Sequence, residues 1–213
     1  MASCDNLIKM NIERNCADPL AMGYEKKGIL INRADINFGL LHFSEDNPNI
    51  VDVFALLDDA EGNRKKAFWV FQNGSKPFNG TTKTIEVSET LGASVTSNVH
   101  IVLPDHSPAI IDGVLDPILN GEFVFISYNK HKNLKNELPA MRGTSAFEIH
   151  GLFQGLTISE GSRDAYSEET GGGWAFTLTE TRAPKAGVFL FKTDYETTEE
   201  MLENLVAGVK TEE

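Results

Sequence analysis

The chain of 213 residues has an ordinary globular composition and a strongly acidic charge balance. Hydrophobic residues make up 41% and charged residues 23% of it, which excludes wholesale disorder and suffices for one well-buried domain. The net charge of −12 excludes an ordinary duplex-binding protein, because such proteins neutralise phosphates with clustered lysine and arginine. No segment approaches the roughly 18 apolar residues of a membrane span, and no signal peptide is visible. We therefore expect a protein made in the cytoplasm, with no membrane partner.

Residues 1–27 predict an N-terminal arm, because they are polar and irregular and contain Asp18-Pro19 and Gly23 as breakers. This segment holds both cysteines of the chain, Cys4 and Cys16, whose spacing matches no zinc or redox motif. Whether the two thiols pair stays open at this stage.

A β-sandwich or open barrel is predicted for residues 28–195, where short apolar or alternating runs are separated by turn residues. The run 82–89 alternates and predicts a half-buried strand with Ile85 and Val87 on its buried face. The runs 51–57 and 67–72 look like a hairpin with a polar loop between them. Further strands are predicted at 28–32, 38–43, 99–103 and 122–128, with three more runs inside 146–191.

A flanking helix is predicted at about 107–119. Ser107 suits the N-cap and Pro108 suits the first helical position, where a missing N–H costs nothing. Pro117 lies inside the apolar pattern, so we expect it to end or kink the helix near Leu115.

Residues 196–213 predict an acidic C-terminal helix and tail, with Thr197 and Glu200 as a capping box. So short a helix is marginal alone, and its apolar stripe should dock on the chain's own sheet or on a neighbouring subunit. The segment 129–142 has an excess of basic residues. The acidic and basic segments either steer copies of the chain together or are two solvated faces.

The sequence contains no recognisable catalytic or metal-binding motif. It has no phosphate-cradling glycine loop, no HExxH and no nucleophile elbow. Its five histidines, His42, His100, His106, His131 and His150, are scattered without ligand spacing. We therefore expect no catalytic residues, no metal and no cofactor, and we expect the protein not to be an enzyme.

The loop at 161–173 is polar, acidic and ends in glycines, and at about a dozen residues it is about twice the usual connection length. A long loop on a stiff β platform usually carries the contacts that matter, and without a catalytic set those contacts should be with another chain. Gly151 and Gly155 interrupt a predicted strand and mark either the close approach of a neighbour or a bend. The candidate subunit-contact residues are Gly151, Gly155, Arg163, Asp164, Tyr166, Glu168, Glu169 and Trp174.

The motifs of this region resemble the C-terminal half of virion proteins from bacteriophages of Bacteroidetes. The pattern is FEIHG at 147–151, GLT at 155–157, SRD at 162–164, EE at 168–169, GGW at 172–174, LT at 178–179 and AP at 183–184. Residues 15–36 are also similar to the opening segments of those proteins. The closest role in that group is the tail tube, or major tail, protein.

This resemblance implies a β-sandwich with a flanking helix, whose copies join into rings that stack into a hollow tube in the virion. Its partners would be copies of itself and other virion tail proteins, while DNA passes through without specific binding. The acidic charge fits such a conduit, since a negative wall repels DNA.

Three alternatives stay open. The chain would be another virion component, such as a capsid decoration, collar or tail-completion protein, if it forms a closed oligomer of fixed size. It would be a non-viral ligand-binding β-sandwich if an exposed aromatic such as Tyr166 forms a binding platform. It would be an enzyme if its residues form an unrecognised constellation.

Overall fold

The computed structural model describes residues 8, 11–12, 18–90, 92–136 and 138–209. These residues form a mainly β structure of eleven strands in two sheets, which confirms the predicted fold class. The large sheet contains β1 (Tyr24–Asn32), β2 (His42–Phe43), β3 (Ile50–Val53), β4 (Phe68–Phe71), β7 (Phe123–Asn129), β8 (Phe147–His150) and β11 (Val188–Leu190). The small sheet contains β5 (Thr82–Ser88), β6 (Gly92–Leu103), β9 (Thr157–Arg163) and β10 (Trp174–Ala183).

The large sheet is mixed, with the strand order β2-β3-β11-β8-β7-β1-β4. Its only parallel pair is β3 with β11; the remaining neighbours are antiparallel. The small sheet is antiparallel throughout, with the order β5-β6-β10-β9. The predicted hairpin between 51–57 and 67–72 is wrong, because β3 lies between β2 and β11 whereas β4 pairs with β1 at the far edge.

The central strands β1 and β7 are covered on both faces, which explains their continuous apolar sequences. One face packs against the C-terminal helix α3 (Tyr195–Ala207), in a core that includes Ile29, Ile31, Val124 and Ile126. The other face packs against the small sheet, in a core that includes Leu30, Phe123, Phe125, Phe176 and Leu178. The strand β1 begins at Tyr24, so the predicted arm of 1–27 ends four residues earlier than expected. The two cysteines lie outside the described residues.

Helix α3 docks on the chain's own large sheet, which was one of the two predicted alternatives. Met201, Leu202 and Leu205 are buried in the core that it shares with that sheet. The predicted cap at Thr197 is wrong, because the helix begins after Asp194, whose Oδ1 accepts a hydrogen bond from the Thr197 N–H at 2.7 Å. Both residues are good N-caps, and three positions separate them.

The oppositely charged segments meet within one chain. Lys132 Nζ of the basic segment donates to the Tyr195 hydroxyl of α3 at 3.0 Å, and Glu199 of α3 pairs at 2.9 Å with Lys27 of β1, which lies outside the basic segment. One carboxylate of the acidic segment is therefore paired inside the subunit, with a lysine of β1, and the basic segment contacts α3 through a hydroxyl.

The interior helical segment runs from Pro108 to Asn120, through α1 (Pro108–Ile110), a π-helical turn (Ile111–Leu115) and α2 (Asp116–Asn120). Of the two expected effects of Pro117, an end of the helix near Leu115 is wrong, since the Asp116 N–H bonds to the Ile111 carbonyl and the chain stays helical, but the regular α-helical pattern is interrupted there by the π turn. The wider π turn makes room for the ring of Pro117, which otherwise clashes with the carbonyl four residues earlier. Within the described part of the chain, no helix combines the length and apolarity needed to cross a membrane.

Candidate functional site

Six of the eight candidate contact residues lie together at one end of the β9–β10 hairpin. Arg163 ends β9, Trp174 opens β10, and the loop 164–173 connects them. The loop is shorter than the predicted 161–173, because Gly161 pairs with Phe176 and Arg163 pairs with Trp174 as regular strand. The other four candidates, Asp164, Tyr166, Glu168 and Glu169, are exposed loop residues.

The loop 164–173 is folded on itself by hydrogen bonds that its own backbone N–H groups donate. Asp164 Oδ1 accepts from the Tyr166 N–H at 2.9 Å, and the Gly172 N–H donates to the Ser167 carbonyl at 3.1 Å. Arg163 Nε fixes the loop to the strand by donating to the Gly172 carbonyl at 3.0 Å. Tyr166 is 95% exposed. The loop therefore presents an aromatic ring and carboxylates outward from an ordered frame.

Gly151 and Gly155 do not interrupt a strand; they bound the turn that joins β8 to β9. Both have φ of +83°, a left-handed conformation that favours glycine, and both are buried. A Cβ on Gly151 would lie 2.7 Å from the Phe123 carbonyl oxygen of the same chain. The close approach that suggested a neighbouring subunit is therefore made within the chain.

The turn is held by the buried carboxylate of Glu180 on β10. Glu180 Oε2 accepts from the Gly151 N–H at 3.0 Å, and Oε1 accepts from the N–H groups of Phe153 and Gln154 at 2.9 and 2.8 Å. These charge-assisted hydrogen bonds fix the turn between β8 and β9 to the neighbouring strand β10.

A buried polar cluster around His150 has residue types found in hydrolases. His150 Nδ1 lies 3.0 Å from Ser97 Oγ, and Nε2 lies 3.2 Å from Ser127 Oγ. The carboxylate of Glu148 is 4.0 Å from Nε2 but forms its close contact, 2.5 Å, with Lys83 Nζ. Burial, and then the charge of Lys83, lower the pKa of His150 well below its usual value.

This cluster lies in the interior between the two sheets and is closed to solvent. Ser97, Ser127 and His150 are buried, and the cavity next to Ser97 has a volume of about 10 Å³, the size of one water molecule. No substrate fits there. Among the described residues, no group of three or more histidine, cysteine or acidic side chains is arranged to hold a metal ion.

The outward face of the small sheet carries a network of hydroxyl and amide side chains. Thr179 Oγ1 donates to Asn98 Oδ1 at 2.8 Å and lies 2.7 Å from Ser159 Oγ, and Asn98 Nδ2 donates to Thr82 Oγ1 at 3.2 Å. One row of side chains thus spans all four strands. In a second row, Thr177 Oγ1 contacts both His100 Nδ1, at 3.2 Å, and Glu160 Oε1, at 3.0 Å.

We call this surface the polar face: the outward-facing positions of β5, β6, β10 and β9, which alternate with core residues such as Val99 and Leu178. At the paired positions of these four described strands, the polar face carries the carboxylates Glu86 and Glu160 and no lysine or arginine. Arg182 lies in the β10 bulge between Glu180 and Ala183. The face is therefore hydroxyl-rich and weakly acidic.

Both edges of the small sheet are free of further strands among the described residues. The prediction that Ile85 and Val87 of β5 are buried is wrong, because they are 72% and 80% exposed. They share a face with Lys83, which reaches Glu148 of the large sheet, but the hairpin extends beyond the area that this sheet covers. An exposed edge strand with apolar side chains is a ready template for pairing with another chain.

Sequence reasoning found the alternation of β5 but missed the polar face, whose members come from segments as distant as 82–100 and 157–179. The chain matches no protein-family model, no curated protein sequence and no solved structure.

Proposed function

We propose that the chain is a virion structural protein that self-assembles into stacked rings, forming a phage tail tube through which DNA passes. The observation that carries the proposal is the small sheet, with its two free edges and its polar outward face. The resemblance of the 147–184 motifs to phage tail tube proteins favours the same reading.

Ring closure is supported by the direction of the edge strands. Four antiparallel strands place β5 and β9 at opposite edges and in opposite directions. When copies are related by rotation about a common axis, β9 of one copy meets β5 of the next in an antiparallel sense. The same contact then repeats head to tail until the ring closes, and both edges of every small sheet are paired.

The chemistry of the polar face suits the wall of a DNA conduit. In such a ring the small sheets join into one barrel, and we assign the polar face to its lumen. A wall with hydroxyls, Glu86 and Glu160 offers the phosphates no cationic row to bind. DNA would be repelled weakly and pass without being held.

The hairpin loop 164–173 is assigned to contacts between stacked rings. It lies at the end of β9 and β10, so it projects along the strand direction beyond the barrel edge. Tyr166 and the exposed acids there supply the aromatic and charged groups that docking surfaces use.

Electron microscopy of the purified protein tests the proposal. Wild-type protein is expected to form tubes, whose length and sedimentation increase with concentration. Val87→Lys should stop tube formation, because a lysine on an edge strand opposes pairing. Its folded stability should stay within about 0.5 kcal/mol of wild type, because the side chain is exposed.

Val209→Lys is the matched control, since it makes the same substitution at a half-exposed position after α3. Tubes in this variant and none in Val87→Lys would support edge pairing. Normal tubes from Val87→Lys would contradict the edge assignment. A particle of one fixed size at all concentrations would contradict the tube and favour a closed virion component.

A further inference from the structure

An apolar groove lies between the free edge of β4 and the interior helical segment. Its volume is about 410 Å³. Its walls come from β4, from the last residues of β6 and from the helix, and they include Phe71, Val70, Leu103, Ile110, Val114 and Ile118. Phe68 and Phe71 at its rim are more than half exposed. The groove is thus an uncovered apolar surface beside an unpaired strand.

The backbone of β4 is arranged to accept a further strand. The Gln72 N–H donates to the Lys26 carbonyl at 2.8 Å, which directs the backbone groups of Gln72, Val70 and Phe68 toward β1. Those of Trp69 and Phe71 alternate with them and point away from β1, toward the groove side. No described strand pairs with this edge.

The C-terminal part of β6, beyond the residues that pair with β5, already has a substitute partner. Gln72 Nε2 donates to the Val102 carbonyl at 2.7 Å, and Gln72 Oε1 accepts from the Val102 N–H at 3.3 Å. A side-chain amide thus takes the place of a strand there and links the two sheets at the groove. Gln72 Nε2 also lies 3.2 Å from the Phe71 carbonyl, whereas the outward backbone groups of Trp69 have no hydrogen-bond partner among the described residues, so an extended segment fits along β4 at Trp69.

The N-terminal segment before β1 supplies apolar side chains without a cover. Every large hydrophobic residue described between residues 8 and 22 is more than three-quarters exposed: Ile8 is 82%, Ile12 92%, Leu20 76% and Met22 86%. Ile8 and Ile12 are four residues apart, so they project from one face when the segment is extended. Such a segment binds an exposed sheet edge by strand addition, with alternate side chains entering pockets.

The direction of this segment favours another copy as its receptor. Asp18 Oδ2 accepts a hydrogen bond from the Lys135 N–H at 3.2 Å, in the connection that follows β7. In the sheet order β7 lies on the opposite side of β1 from β4, so the segment leaves β1 away from its own groove. From Gly23 to Ile12 the chain spans up to roughly 36 Å when extended, which reaches beyond a domain with a radius of gyration of about 17 Å.

We infer that the N-terminal segment of one copy binds the β4 groove of a second copy as an added strand, with Ile8 and Ile12 in the groove. This contact rests on the proposed self-assembly, because it needs a neighbouring copy. It is separate from the β5–β9 edges, and it ties one subunit to the next through a tether instead of through the barrel.

Disulfide trapping between two full-length variants tests this contact, in a background where Cys4 and Cys16 are replaced by serine. One variant carries Ile12→Cys, at a side chain that is almost fully exposed, and a purification tag. The other carries Gly113→Cys in the groove, where a new Cβ meets nothing within 4 Å. After mixing and mild oxidation, a non-reducing gel measures the mixed disulfide.

The control pairs Ile12→Cys with Val209→Cys, a half-exposed position outside the groove. The yield of mixed disulfide between Ile12→Cys and Gly113→Cys should exceed the control yield by at least about tenfold, because docking raises the local thiol concentration. An excess of a peptide of residues 1–22 with serines for cysteines should lower it to the control level, and a scrambled peptide should not. Yields equal to the control would overturn the groove contact. If the protein forms tubes but this cross-link does not form, the groove contact is contradicted and the tail tube is not. If the cross-link forms but no tubes appear, the tail tube is contradicted and the groove contact is not.

Discussion

Replacing Glu180 by alanine should destabilise the fold by about 3–4 kcal/mol. The carboxylate accepts three backbone N–H groups of the turn between β8 and β9, at 2.8 to 3.0 Å. A buried donor left without a partner costs about 1–3 kcal/mol. The Gly151 N–H is buried and should cost near the top of that range, whereas Phe153 and Gln154 are partly exposed and water replaces part of their loss.

Glu180→Gln separates the hydrogen bonds from the shape of the side chain. The amide oxygen keeps two of the three bonds, and the amide nitrogen faces the Gly151 N–H, so we expect a loss of about 1–2 kcal/mol. Urea titrations followed by tryptophan fluorescence measure both variants, and an unchanged slope shows that the transition stays two-state. Glu169→Ala, in the exposed loop, is the control and should change stability by less than about 0.5 kcal/mol. A loss below about 1 kcal/mol for Glu180→Ala would refute the role assigned to the carboxylate.

Three further predictions concern the core and the link between the sheets. The fold lowers the pKa of His150, so near pH 6 only the unfolded state binds its proton. The free energy of unfolding should therefore fall by up to about 1.4 kcal/mol for each pH unit below about pH 6.5. Urea midpoints between pH 7 and pH 5 measure this slope, and His150→Gln should reduce it. Leu202→Ala should cost about 2–5 kcal/mol by the same titration, because this side chain of α3 is fully buried against the large sheet. Gln72→Ala should cost about 1–3 kcal/mol and increase hydrogen exchange at the Val102 amide, whose partner it removes.

The parts of the fold that sequence reasoning predicted are those where the apolar pattern of a single segment shows which of its residues are buried. The central strands at 28–32 and 122–128 are apolar at nearly every position because α3 covers one face and the small sheet the other. Helix α3 shows its docking face as a stripe, which includes Met201, Leu202 and Leu205. In these segments the local pattern and the final environment agree.

Sequence reasoning failed where the environment depends on a distant segment. The alternation of β5 shows that Ile85 and Val87 share a face, but it holds no information on how far the large sheet extends over them. Gly151 and Gly155 indicate unusual backbone, but only the position of Phe123 shows that the close contact is internal. The polar face depends on the pairing of β6 with β10, which no single segment specifies.

The proposed edge contact predicts a weak pairwise interaction between copies. Full burial of a valine or isoleucine side chain contributes about 1.5–3 kcal/mol, so covering the exposed parts of Ile85 and Val87 contributes roughly 2–5 kcal/mol. Association costs about 4–15 kcal/mol in lost freedom, so these side chains alone do not hold two copies together. In a closed ring the last subunit forms two contacts for one such loss, so the contact becomes effective on closure. A weak contact that strengthens on closure leaves the single subunit intact and favours the completed ring.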